Sequence, residues 1–258
     1  MNTRTAFITL ATLLLCALPL RADGPDAPGD RILFPGSVRM LLVGPYGGID
    51  YNMHKGTFST TENGQSCCTF EEGTGIGLVA GLKAFIPLTD NLDFSPRLLY
   101  ENRGGDFTAL LQRYPIRGRN NAVEFADLEN TLDITLHTFT LDVFASYRFT
   151  SFGMYVTAGP SMSFLFGDDY IQTETILGPP GVVYIDGTTT KQMFSGTLDI
   201  TESMLFAVRG GLGVIFPVSD NIRLNPEVLY SFPLTKLSKD GDWKVSSVQA
   251  TIGVLFAF

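Results

Sequence analysis

The sequence predicts an all-β chain, an eight-stranded antiparallel transmembrane β-barrel with short turns at one end and long loops at the other. Eight stretches of about ten residues alternate with period two, one parity apolar and the other small, polar or charged. The connections between them alternate strictly between short and long. The 258 residues are 45% hydrophobic and 17% charged. Beyond residue 20 no apolar run reaches the roughly 20 residues that a helical span needs.

The first element is an address. Arg4 precedes an apolar stretch from Ala6 to Leu20, and no acidic residue occurs before Asp23. This is the pattern of a secretory signal peptide, expected to be cleaved after Ala22. The layout read from the sequence is a signal peptide over 1–22, an N-terminal periplasmic segment over 23–39 and the barrel over 40–258. Leu15 stands before Cys16 where lipoprotein processing wants a small residue. Cys67 and Cys68 are then the remaining cysteines. Their Cα atoms, about 3.8 Å apart as sequence neighbours, lie below the usual disulfide range, so no disulfide framework is expected.

The strands are predicted at 40–51, 74–87, 92–101, 132–149, 154–166, 203–217, 221–232 and 245–258. Alternation is cleanest in the last, where Val248, Ala250, Ile252, Val254, Phe256 and Phe258 interleave with Ser247, Gln249, Thr251 and Gly253. In the fourth, Phe139, Leu141, Val143, Ala145, Tyr147 and Phe149 oppose Thr140, Asp142, Ser146 and Arg148. In the seventh, Ile222, Leu224, Pro226, Val228, Tyr230 and Phe232 oppose Arg223, Asn225, Glu227 and Ser231. Strands two and three are joined by Leu88–Asn91, four and five by Thr150–Gly153, and six and seven by Val218–Asp220. The intervening connections, about 52–73, 102–131, 167–202 and 233–244, are long, which puts every long loop at one end and both termini with the short turns. An internal repeat supports this register. Residues 81–100 align without gaps to 211–230 with 8 of 20 positions identical, including Pro87/Pro217, Asp90-Asn91/Asp220-Asn221 and Pro96/Pro226.

Eight strands enclose a space just wide enough for side chains, so the small polar face is expected inside and the bulky apolar face against lipid. On the interior parity stand Asp50, Asp93, Glu101, Asp142 and Glu227 with Lys83, Arg97, Arg148, Arg209 and Arg223, five of each sign. A balanced set can pair, which buried charge requires. Pro45, Pro96, Pro160 and Pro226 fall on the lipid parity, where each removes a ladder donor, and predict bends or bulges. Tyr147, Phe149, Phe152, Phe256 and Phe258 near the turns, and Tyr51, Tyr100, Tyr230 and Phe232 near the loops, read as two interfacial girdles.

With VGPYGGIDYN (43–52), TAGPSMSF (157–164) and FPVSDNIRLNPEVLY (216–230), the mature chain resembles the small outer-membrane β-barrel proteins of Gram-negative bacteria, PorT-like and OmpA-like barrels in particular. The resemblance implies residence in the cell outer membrane, with periplasmic turns and extracellular loops. It also implies that Phe258, ending an alternating strand, is an assembly signal read by the barrel-assembly machinery.

Candidate chemistry is sparse. The net charge of −8, from 18 basic and 26 acidic residues, argues against nucleic-acid binding. No P-loop, zinc spacing or EF-hand occurs, so neither metal nor cofactor is expected. His137 is followed by Thr138 and Phe139, whereas a small-barrel lipid A deacylase family places Ser two residues after its His, so no enzyme is expected. Arg113, Arg117 and Arg119 offer guanidinium forks suited to lipopolysaccharide phosphates. The expected partners are outer-membrane lipid, lipopolysaccharide and the assembly machinery, with the partner of the long loops unassigned. The expected role is structural or surface-interactive, non-catalytic, with a lumen closed by paired charges. Narrow-channel transport and outer-leaflet lipid modification are the alternatives.

Overall fold

The computed structural model describes residues 40–62, 65–118, 123–149, 153–198, 200–239 and 241–258. The signal segment and residues 23–39 lie outside the described residues. Eleven strands follow in order: β1 Leu42–Glu62, β2 Gln65–Pro87, β3 Leu92–Asn102, β4 Gly105–Arg117, β5 Val123–Arg148, β6 Met154–Gly178, β7 Thr190–Thr197, β8 Met204–Val214, β9 Phe216–Pro217, β10 Ile222–Pro233 and β11 Lys244–Ala257.

Every pairing is antiparallel, and the pairs β1–β2, β2–β3, β3–β5, β5–β6, β6–β8, β8–β10, β10–β11 and β11–β1 close a ring of eight. The other three strands continue ring positions. On β5, Asn102 of β3 faces His137 and Gly105 of β4 faces Ile134. Arg103 N bridges the gap by donating to Leu136 O at 2.8 Å. On β6, Met204 of β8 faces Phe164 and Thr197 of β7 faces Asp169. β9 extends β8 past Ile215.

The eight predicted strands are therefore all present; β1, β2, β3, β5 and β6 run longer than expected, β10 and β11 match the expected length, and β8 ends sooner, its predicted range being completed by β9. The segments 52–73, 102–131 and 167–202, read as loops, are largely strand. Two residues separate the bounds of β1 and β2, and five those of β4 and β5. The alternation continues through these segments, but its chemistry inverts. Below His137 the apolar residues of β5 are odd-numbered and face outward, as with Phe139, Leu141 and Val143. Above it Ala126, Leu128, Leu132, Ile134 and Leu136 are even-numbered and face inward while Asp133 is exposed, with Val123 and Phe125 at the far end the exposed exceptions. The backbone keeps its parity, and the outside medium changes from lipid to water.

That switch locates the outer edge of the lipid band. From Leu41 to Tyr51 the outer face of β1 rises by ten steps of about 3.3 Å tilted by about 40°, roughly the 25 Å height of a barrel's apolar band. Lys55, Glu71, Glu72, Asp106 and Lys244 are exposed above it.

The four prolines interrupt the ladder without shifting its register, and none of the expected bulges occurs at them. Pro45 stays opposite Leu82, Pro96 opposite Val143, Pro160 opposite Val208 and Pro226 opposite Ile252. Each interrupts the ladder on its other side, where pairing resumes in unchanged register or starts at the next residue. The repeated turns share one geometry. Leu88 N and Thr89 N both donate to Leu92 O (2.8 and 3.0 Å), and Val218 N and Ser219 N both donate to Ile222 O (2.9 and 3.2 Å).

Candidate functional site

The lumen is built in three layers. At the turn end Leu42, Phe85, Tyr155, Ile215 and Leu255 pack into one apolar cluster. Above them lies a layer of charge. Glu227 accepts both arms of the Arg97 guanidinium, one at 2.9 Å, and the Tyr155 hydroxyl, with Lys83 Nζ at 3.7 Å. The Arg97 guanidinium lies 4.5 Å over the Phe144 ring, and Lys83 Nζ 4.7 Å over Tyr46. Glu101 Oε2 accepts from Arg209 at 2.8 Å, Arg103 at 2.7 Å and Thr140 at 2.7 Å, and Gln249 donates to Oε1. Arg209 also reaches Asp142 at 3.4 Å, and Arg148 pairs with Asp93 at 2.7 Å near the turns.

Of the ten charges predicted for the interior parity, eight are buried and Arg148 and Arg223, at the turn end, are half-exposed; eight of the ten meet a partner of opposite sign. Two do not. Arg223 sits one rung from a short turn, where its guanidinium donates to the carbonyls of Ser219 and Ile222. Asp50 is fully buried opposite Gln249 and makes no ion pair within 4 Å among the described residues, although the charges of Glu101, Arg103 and Arg209 act on it. Arg103, a principal partner of Glu101, went unrecognised because it falls at the start of a segment read as a loop.

The third layer overturns the expectation of a uniformly small, polar interior. Above the lipid band Phe58, Phe70, Phe107, Leu132, Ile134, Leu136, Leu237, Trp243 and Val245 belong to the largest apolar core among the described residues. Trp243 is fully buried and stacks on Phe58 with centroids 4.3 Å apart and planes 13° apart. His54, expected in a loop, stands on β1 beyond the membrane-spanning part and inside this core. Trp243 Nε1, which can only donate, lies 3.1 Å from His54 Nδ1, so Nε2 carries the proton and donates to Gly104 O at 3.2 Å. Burial pushes the His54 pKa down to about 4. The sequence signal for this layer was the parity inversion, together with Trp243, the single tryptophan of the chain.

His137 lies on the outer face at girdle height, stacked on Phe166, with the Tyr100 hydroxyl 2.7 Å from Nδ1. Thr138 points the other way, into the lumen, and donates to Glu101 O at 3.3 Å. Arg113 and Arg117 are exposed on β4. Arg113 has a left-handed backbone (φ 52°) at a bulge, where its N–H donates to Asp127 Oδ1 at 2.9 Å. It stands roughly 30 Å above Tyr100 in height along the barrel axis. Arg119 and the side chain of Cys67 lie outside the described residues. Cys68 is buried beside Gln172, with Nε2 3.6 Å from Sγ. Phe258 is exposed at the turn end, and its N–H donates to Leu41 O at 3.0 Å across the barrel seam.

A model of the outer membrane protein beta-barrel domain matches residues 25–239. Among solved structures, the chain is similar to Neisserial surface protein A at 12% identity, covering 84% of this chain and 99% of that one with a TM-score of 0.35. It is similar to the attachment invasion locus protein of Yersinia pestis at 11% identity, covering 83% and 98% with a TM-score of 0.30. A third likeness is to an outer membrane protease of Escherichia coli at 9% identity, covering 88% and 99% with a TM-score of 0.36. No curated protein matches by sequence.

Proposed function

The chain belongs to the outer membrane protein beta-barrel domain family, and from that premise we propose a closed-lumen protein that works through its extracellular surface and neither conducts nor catalyses. The observation that carries this reading is the filling of the lumen at every level by fully buried side chains. These are Phe85, Tyr155 and Leu255 at the turns, Lys83, Arg97 and Arg209 in the middle, and Phe70, Phe107 and Trp243 above. A hydrated ion crossing such a barrel has to break a desolvated ion-pair network and then an aromatic core.

The non-catalytic part is supported by the arrangement at His137. Its ring is engaged by Tyr100, and the hydroxyl next to it in sequence lies on the opposite face of the wall. On this reading the signal segment 1–22 is removed on export, the segment 23–39 stays in the periplasm and Phe258 addresses the chain to the assembly machinery. Arg113, Arg117 and Arg119 meet lipopolysaccharide phosphates; the height of Arg113 and Arg117 above the lipid band favours phosphates of the saccharide core over those at the acyl boundary.

The test is reconstitution of the purified barrel in planar bilayers at physiological salt. The expected result is a membrane that stays electrically tight. Large, stable conductance steps overturn the closed-lumen reading.

A further inference from the structure

We infer that the notch between β2 and β4 is a strand-addition site for an extended, basic segment of a partner protein. The wall is continuous below the notch and parts above it. β2 and β4 share only two paired positions, Gly73 with Phe107 and Thr74 with Asp106. Carried on in that register, Glu72 would face Thr108 and Thr69 would face Leu111. Instead the strands diverge, and a cavity of about 550 Å³ opens between them, lined by Cys68, Thr69, Glu71 and Glu72 on one side and Thr108–Leu111 on the other.

Both walls of this cavity are sheet edges. β2 is held on its far side by β1 and β4 on its far side by β5. Among the described residues no strand stands between Thr69–Glu72 and Thr108–Leu111. Unpaired edges offer a row of backbone donors and acceptors, and an extended peptide is the ligand that satisfies both rows at once. The dimensions fit. A strand takes about 4.8 Å between neighbours, about 10 Å between faces and about 3.4 Å per residue, roughly 160 Å³ per residue. The cavity therefore takes about three residues, close to the four that line each edge. The charge also fits: Glu71 and Glu72 line the cavity and no Lys or Arg does, so Lys or Arg on the incoming strand is favoured. Leu110 and Leu111 offer apolar contact to its other side chains.

This inference deepens the surface-contact reading and rests on it. The experiment uses the full-length barrel carrying Cys67→Ser, Cys68→Ser, Thr69→Cys and Leu111→Cys. The two new thiols are either capped singly or joined across the notch by a short bis-maleimide. The probe is a fluorescein-labelled peptide alternating Lys and Val, read by anisotropy. The capped barrel is expected to bind saturably, and bridging to weaken binding by at least about tenfold. A proline-substituted probe is expected to fail, and Glu71→Lys with Glu72→Lys to shift the preference to a Glu–Val peptide. Equal binding by bridged and capped barrels, or no saturable binding, overturns the site. Self-association blocked by the same bridge, or displacement of the peptide by longer-chain detergent, also overturns it by assigning the notch to a second copy or an acyl chain. A failed peptide test beside an electrically tight bilayer removes the notch assignment alone, whereas conductance removes the reading beneath it.

Discussion

Glu227→Gln tests the ionic layer most directly. The Glu227 and Arg97 side chains are fully buried, as is Lys83, and the one carboxylate faces both cations while accepting the Tyr155 hydroxyl. Glutamine keeps the shape and one acceptor but removes the charge, leaving two desolvated cations without a counter-ion in that rung. Removing one partner of a buried pair costs about 3–5 kcal/mol, which at about 1.4 kcal/mol per factor of ten lowers the folded-to-unfolded ratio by two to three and a half powers of ten. The assay is urea unfolding of the refolded barrel in lipid vesicles, with folded and unfolded forms separated by their mobility on SDS gels without boiling. Adding Arg97→Met and Lys83→Met to Glu227→Gln is expected to recover most of the loss, because an apolar replacement of a buried ionic group is close to neutral. A Glu227→Gln single variant within about 1 kcal/mol of the parent would refute the argument, since that is the range of exposed, hydrated pairs.

Two further outcomes concern the upper core. The folded His54 pKa of about 4 lies below the ordinary 6.5, so between these values only the unfolded chain takes up the proton. The stabilisation is whole above pH 6.5 and is lost as pH falls through 4, by about 3 kcal/mol in all. Unfolding titrations at pH 7 and 4 on the parent and on His54→Gln, whose amide does not titrate, isolate this contribution, and equal pH slopes would refute it. Trp243→Ala is expected to cost about 3–5 kcal/mol. As the only tryptophan, Trp243 also reports on itself: native emission is expected to be blue-shifted and shielded from iodide, and emission like that of free indole would place the ring elsewhere.

The lipid-spanning half of the wall was legible because the bilayer imposes the plainest of patterns, apolar outside and polar inside, on every strand at once. Ile49, Leu98, Val143, Leu212 and Ile252 declare their face by parity alone. So did the inward direction of the eight buried charges. Their partners did not follow, because parity names a face while pairing depends on neighbours around the ring: Arg97 meets Glu227 from 130 residues away. The upper wall was hidden for a different reason. Phe58, Phe70, Phe107 and Trp243 sit in segments that lack a continuous apolar outer face, the feature by which a lipid-spanning strand shows itself in sequence. His54 and Arg103 were misjudged with the segments that carry them, and the notch between β2 and β4 has no sequence signature, since both of its edges alternate like any paired strand.

The extension of β1, β2, β4, β5 and β6 beyond the lipid also determines how the cell surface is presented to proteases and to engineers. Segments that look like generous loops for epitope insertion are ladder, and an added peptide at Thr131 or Thr173 would have to break bonds on both flanks. Display cassettes belong instead in the short joints between strand ends, of which Pro179–Thr189 is the longest between strand pairs of the upper wall. Limited proteolysis of intact cells should follow the same map, nicking at joints and leaving large fragments that stay associated until the barrel is boiled.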